Sequence, residues 1–473
     1  MELGGVRSRS RQTLDNAEPA RAAKNTVAAV PLPAVSSATD ASSFEAHSSA
    51  QALPEDEVSR AVRAGAPSYF RTYEQVKTAM HALSADHPEL VKVEDVGDSG
   101  EKRAGKADRD ILALRLGSPR PGEPRKPTMF LIAGEHAREI ANPEIALRWA
   151  QGLAAGYGKD ARITAALDRC EVVIVPMVNP DGHAVVEEGL ATGNRAKMMQ
   201  RKNTQGPGGS GVDLNRNYPF HWGGPGASSD PRDETFRGPS AASEAETQAV
   251  VKLAQALKLD ANDVFVSLHS YSELILYPWG DTREESPDHA HFVALGEAMA
   301  SLTDEGGDRY AAIPAVDLYP TTGTSDDHIY ATHGTAAVTL ETGETFLQSD
   351  TEYQATWKEV APTLDYALDL TGAPFAGAHG PMVRSTTVQA GKVEARVSDA
   401  YNGKQQVKAA EAVSDPTAPA GQGIPLAAQD GAFDSAQEVV TGDVTKLTGD
   451  KVYVRAQDSQ GNWGPAGVAW RTA

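Results

Sequence analysis

Short apolar runs bounded by turn formers alternate with longer amphipathic stretches through the middle of this chain. Residues 91–96 alternate apolar and polar, as a half-buried strand does. Residues 129–133, 172–178 and 265–269 are almost continuously apolar, the pattern of strands covered on both faces, and the last of them ends in His269. Residues 337–341 form a further strand that ends on Glu341. Helix starts are marked locally. Thr72 and Gln75 make a capping box ahead of a helix towards Ala85, and Asn142 and Pro143 stand as N-cap and first residue of a helix through Ala155. Residues 243–246 cap a third helix, running to Ala256. Strands alternating with helices predict an α/β domain, a mixed sheet with helices on both faces. In such sheets ligands collect where strands end, and His136, His269 and Glu341 all fall at strand ends by this reading.

The pattern changes towards both termini. Residues 1–64 are rich in Ala, Ser, Asp, Glu and Arg with no sustained period, and are expected to be a disordered leader, either a targeting segment or a pro-segment. The α/β domain is expected over residues 65–374, followed by a linker rich in Gly, Ala and Pro. Beyond it Val393, Ala395 and Val397 alternate with polar residues, as do Val452, Val454 and Ala456, and residues 458–463 read as a hairpin turn. Residues 376–473 are therefore expected to be an all-β sandwich. It resembles immunoglobulin- or fibronectin-like modules, acting as a spacer or stabiliser, with surface or carbohydrate contact as the alternative.

Composition narrows the partners. In 473 residues, 44 Lys and Arg against 64 Asp and Glu give a net charge of −20, which argues against nucleic acid and anionic membranes. Cys170 is the single cysteine, so no intramolecular disulfide forms. No apolar stretch approaches the roughly 18 residues that span a bilayer. The first residues are not a conventional signal peptide, and two prolines interrupt the weakly apolar stretch at 26–38.

The candidate chemistry begins at His136-Ala137-Arg138-Glu139, which sets an imidazole and a carboxylate close together at a strand end. Two such groups suit a catalytic Zn²⁺, which takes three protein ligands and keeps one open position. Further along come Arg201-Lys202, the segment Asp213-Leu214-Asn215-Arg216-Asn217, His269-Ser270-Tyr271, Tyr319-Pro320-Thr321-Thr322-Gly323, Asp326 and Glu341. In this order, from about Ser68 to Leu370, the chain resembles the zinc metallocarboxypeptidases of the A/B type, in the manner of a bacterial secreted member.

That resemblance implies a role for each matching residue. His136, Glu139 and His269 become the ligands of one zinc per chain, and Asp213 the partner of His136. Glu341 becomes the general base and Arg201 the group that polarises the scissile carbonyl. Asn215, Arg216 and Tyr319 become the clamp on a free C-terminal carboxylate, with Arg138, Ser270 and Tyr271 as further substrate contacts. Asp326 falls at the floor of the pocket for the terminal side chain, where an aspartate goes with Lys and Arg ends. Glu344, Lys202, Tyr330 and Asp327 are the neighbouring alternatives to Glu341, Arg201, Tyr319 and Asp326. The resemblance further implies a secreted monomer acting on peptide or protein C-termini, with basic ends preferred and apolar ends tolerated. Two other readings stay open: a relative acting on peptidoglycan or other non-standard amides, and an inactive binding or adhesion protein built around the β-sandwich.

Overall fold

The structure, a computed structural model, describes residues 66–303, 309–401 and 403–471, so the leader expected over residues 1–64 lies outside the described residues. The strands of the first sheet are β1 (Val91–Asp98), β2 (Asp110–Leu116), β3 (Thr128–Ala133), β4 (Glu171–Val175), β5 (Val264–His269), β6 (Leu274–Tyr277), β7 (Ala311–Pro314) and β8 (Ala336–Glu341). They lie in the order β1-β2-β4-β3-β5-β8-β6-β7. The central strands β4, β3, β5 and β8 run parallel, while β1–β2, β2–β4 and β6–β8 are antiparallel pairs. Every residue of β3, β4 and β5 is buried. Because side chains alternate between the faces of a sheet, both faces must be covered.

The cover is supplied by α1 (Tyr73–Asp86), α2 (Ala141–Gly156), α3 (Ala161–Arg169), α4 (Pro180–Thr192), α5 (Ala245–Leu257), α6 (His289–Ala300), α7 (Ser325–His333) and α8 (Asp350–Leu370). Their apolar faces merge with the sheet into one core that includes Phe130, Phe265, Ile145, Leu253, Phe292 and Leu364. The Phe130 and Phe265 rings meet across β3 and β5 with centroids 5.4 Å apart. Thr72 and Gln75 do form the capping box of α1. Two of the expected caps are used differently. The N-cap of α2 is Ile140, with no side-chain cap, and Asn142 instead accepts a hydrogen bond from Thr342 Oγ1 at 2.7 Å, tying the helix to the end of β8. The N-cap of α5 is Glu244, also without a side-chain cap, while Glu246 Oε1 accepts from the Gly100 backbone N–H at 2.8 Å. In both places a buried long-range contact outcompetes the local one. Asn179 caps α4, its side chain accepting from Gly182 N.

Where a linker was expected, residues Pro374–Ala378 form a short helix. Then come β9 (Met382–Gln389), β10 (Lys392–Ser398), β11 (Val407–Val413), β12 (Ile424–Ala428), β13 (Gln437–Asp443), β14 (Lys451–Asp458) and β15 (Gly467–Trp470), all antiparallel, in the order β15-β14-β11-β12-β13-β10-β9. The sheet turns through β12 and curls until its ends approach. A Cβ on Gly467 of β15 would lie 2.3 Å from Val383 Cγ1 of β9, so the expected sandwich is nearly a barrel. Val393, Ala395, Val397, Val452, Val454 and Ala456 fill its interior, as the alternation requires.

Candidate active site

Parallel neighbours end on the same side of a sheet, and the site follows from that. His269 at the end of β5 is the register partner of Glu341 at the end of β8. Ala133, closing β3, pairs with Leu268 of β5, so the chain leaving β3 delivers Glu135 and His136 to the same edge. There His136 Nδ1 lies 2.7 Å from Glu139 Oε1 and 3.1 Å from His269 Nδ1, and His269 Nδ1 lies 3.2 Å from Glu139 Oε2. A tetrahedral zinc with bonds of about 2.0–2.2 Å holds its ligand atoms about 3.3 Å apart. The spacing fits one such ion. Among the described residues these three are the one group of His, Cys, Asp or Glu able to hold a metal.

The far sides of both rings are fixed by carboxylates. His136 Nε2 faces Asp213 Oδ1 at 3.1 Å, and His269 Nε2 faces Glu135 Oε2 at 3.0 Å. An ionised carboxylate only accepts, so both Nε2 atoms carry the proton and both Nδ1 lone pairs turn inwards. The pocket is rich in buried acids. Burial alone would raise the carboxyl of Glu139, but the two imidazoles outweigh it and hold it far below its ordinary value. Burial likewise favours neutral His269, yet Glu139 and Glu135 hold its proton well above the usual range. A cation bound by the three donors would displace the Nδ1 proton of His269, free that lone pair and take over the neutralisation of these acids. Burial is also the largest influence on Glu341; with the charge of Glu139 it raises that carboxyl to about 7, against the pull of His269, Arg201 and Arg216.

Arg201 reaches Asp213 Oδ2 through Nε at 3.1 Å and Nη2 at 3.0 Å, so one carboxylate orients both this guanidinium and His136. Arg216 is buried, its Nη1 donating to Asn215 O at 2.7 Å and its Nε to Gly226 O at 3.0 Å. Its guanidinium lies 6.0 Å from the centroid of the half-buried Tyr319 ring. Asn215 lies 3.4 Å from His269 Nε2 through Nδ2 and accepts from Ser325 N at 2.9 Å. Arg138 stacks 4.2 Å over the Phe346 ring and pairs loosely with Glu234 at 3.6 Å. Ser270 N donates to Glu139 Oε2 at 3.1 Å, and the Tyr271 ring meets Phe346 edge-on. Asp326 is buried in the first turn of α7, its oxygens taking Asp327 N at 2.9 Å and Thr339 Oγ1 at 3.0 Å.

The neighbouring alternatives go elsewhere. Glu344 is exposed. Lys202 Nζ is spent on the carbonyls of Pro231 and Asp233. Tyr330 is buried in the core, edge-on to Phe292, with its hydroxyl on Asp288. Asp327 binds the Gly280 N–H at 3.0 Å, and burial and then the adjacent Asp326 carboxylate raise its carboxyl far above the usual range.

Sequence reasoning missed Glu135, which is 1% exposed and directly behind His269. A glutamate beside a candidate ligand, just past the end of an apolar strand, was the available signal. It also missed two glycines. Gly226 and Gly323 are both at positive φ, and a Cβ on them would lie 1.8 Å from Pro320 O and 2.6 Å from Arg216 O; without one, the two loops around Arg216 and Tyr319 can meet.

The fold and site thus define an α/β protein with a two-histidine, one-glutamate metal centre at its parallel strand ends. Residues 76–363 match the zinc carboxypeptidase family. The chain is 32% identical to rat carboxypeptidase A1 over 282 residues, covering 59% of this chain and 64% of that protein. It is 29% identical to human carboxypeptidase B over 315 residues, covering 64% and 72%. Among solved structures, thrombin-activatable fibrinolysis inhibitor superposes with a TM-score of 0.57 at 25% identity, over 64% of this chain and 74% of that one. The chain spans under two thirds of the length of the rat enzyme. It belongs to the zinc carboxypeptidase family.

Proposed function

We propose that this protein is a zinc-dependent exopeptidase that removes single residues from free peptide C-termini, favouring Lys and Arg ends. The observation that carries the reading is the convergence of the His136, Glu139 and His269 donor atoms beside Glu341, Arg201 and Arg216 at one edge of the sheet. A zinc ion held by the three ligands supplies Lewis acidity towards the scissile carbonyl and brings the pKa of water near neutrality.

The chain's own groups do the rest. Glu341 takes the proton of the attacking water and hands it to the leaving amine. Arg201 is tethered to Asp213 through Nε and Nη2, and it turns its remaining N–H groups towards the carbonyl oxygen as negative charge grows there. Asn215, Arg216 and Tyr319 bind the terminal carboxylate, and a guanidinium fork suits that planar anion. Arg138, Ser270 and Tyr271 make further contacts with the substrate. Asp326 faces the terminal side chain. Its oxygens already accept from Asp327 N and Thr339 Oγ1, so an apolar end does not leave it wholly unpaired, and the preference for a cation is moderate.

The test is Glu341→Gln, which keeps size and shape but removes the base. It should lower kcat by at least about a thousandfold, within the usual range for a lost acid–base group, with zinc content and substrate affinity retained. A variant that keeps most of its kcat would exclude Glu341 as the base.

A further inference from the structure

Glu135 is a buried carboxylate that faces four donors. Oε1 accepts from Tyr218 Oη at 2.7 Å. Oε2 accepts from Ser267 Oγ at 3.2 Å, Ser325 Oγ at 3.2 Å and His269 Nε2 at 3.0 Å. Burying a charge is costly unless it is fully hydrogen-bonded, and here three hydroxyls from three different segments meet that requirement. Two of the donors belong to the substrate side of the cleft. Tyr218 follows the Asp213–Asn217 segment that contains Arg216, and Ser325 immediately precedes Asp326.

From this geometry we infer that Glu135 is a positioning residue for the metal centre, acting through His269. The inference rests on the zinc reading above. The carboxylate holds His269 in the Nε2–H tautomer, aims its Nδ1 lone pair at His136 Nδ1 and Glu139, and makes the imidazole a stronger donor. Asp213 does the same for His136, so each histidine ligand is backed by a carboxylate from a different segment. An apolar residue at position 135 would leave the His269 N–H, two serine hydroxyls and a tyrosine hydroxyl buried without their shared acceptor. A glutamine would turn an NH₂ group towards groups that are themselves donors.

The experiment measures zinc affinity by chelator competition on wild type, Glu135→Gln and Tyr218→Phe, with melting temperature followed alongside. Tyr218→Phe removes a bond to the same carboxylate without touching His269, so it reports the purely structural part. Glu135→Gln should weaken zinc binding about 10- to 100-fold, the usual effect of losing a ligand's supporting carboxylate. Tyr218→Phe should change it less than about threefold. Unchanged affinity in Glu135→Gln would overturn the inference, and so would equal weakening in both variants. If Glu135→Gln does not fold, the zinc-loaded wild type still decides: its ¹H–¹⁵N spectrum should show His269 as the Nε2–H tautomer with a hydrogen-bonded, slowly exchanging proton. The other tautomer would refute the role. Wild type that binds no zinc at all would instead defeat the zinc reading, so the two failures are distinguishable.

Discussion

In the proposed reading, Asp326 and Glu341 are the residues whose surroundings most directly set what the site does. Asp326 is buried against Asp327 N and Thr339 Oγ1, so its carboxylate is neither free nor fully neutralised. On the proposed reading, a Lys or Arg end would add a charge-assisted pair there, whereas a Leu or Phe end would add none. The expected preference in kcat/KM for basic over apolar ends is about ten- to a hundredfold, or about 1.4–2.8 kcal/mol. Asp326→Ile should erase or invert that ratio in a panel of peptides differing only in the last residue; an unchanged ratio would move the specificity floor to another side chain. Glu341 carries a pH signature. Its carboxyl is raised to about 7, so the proton stays on until pH rises to about 7 and the basic form is lost below that value. A bound divalent cation favours the carboxylate and moves this titration down. The acid limb of kcat/KM should therefore lie between about 5 and 7, above the ordinary glutamate value of about 4.3. A limb at about 4 would show that burial does not govern this base.

At the scale of elements, the proposed clamp depends on two loops meeting. Gly226, at φ +73°, offers its carbonyl to Arg216 Nε, and a Cβ there would lie 1.8 Å from Pro320 O, next to Tyr319. Gly226→Ala must push these loops apart. It should raise KM for peptides with a free C-terminus at least about tenfold, worth about 1.4 kcal/mol of binding, while zinc affinity holds. Gly208→Ala is the control, since Gly208 shares a positive φ (+67°) but has nothing within 4 Å, and steady-state kinetics on both variants separates backbone strain from a displaced clamp. The elements themselves were largely legible beforehand. Apolar runs marked β3, β4, β5 and β8 because burial on both faces leaves no polar alternation to obscure them, and the Thr72 capping box is local. What misled was local signal without tertiary context. Asn142 and Glu246 look like capping residues, but buried partners far along the chain claim their side chains. Glu135 escaped notice for the same reason: its donors come from residues 218, 267, 269 and 325, a set no window of sequence brings together.

At the scale of the whole molecule, the C-terminal barrel is fastened to the α/β part. Val413 and Tyr453 of the barrel pack with Ala165 of α3, Lys451 Nζ reaches Asp168 at 3.0 Å, and Trp470 Nε1 donates to Lys159 O. These contacts are what supports the proposed role as a spacer or stabiliser. The net charge of −20 adds a long-range attraction for cationic peptides, in keeping with the basic-end preference proposed above. The central claim is that a free C-terminus is read by Arg216 beside a zinc centre, and one comparison tests it most directly. The zinc-loaded protein is given two peptides identical up to a terminal lysine, one ending in a free carboxylate and one in an amide, with a chelated sample in parallel. The account predicts release of lysine from the free peptide at least about a hundredfold faster than release of lysinamide from the amidated one, and no release after chelation. Equal cleavage of the two peptides, or full activity without metal, would contradict it.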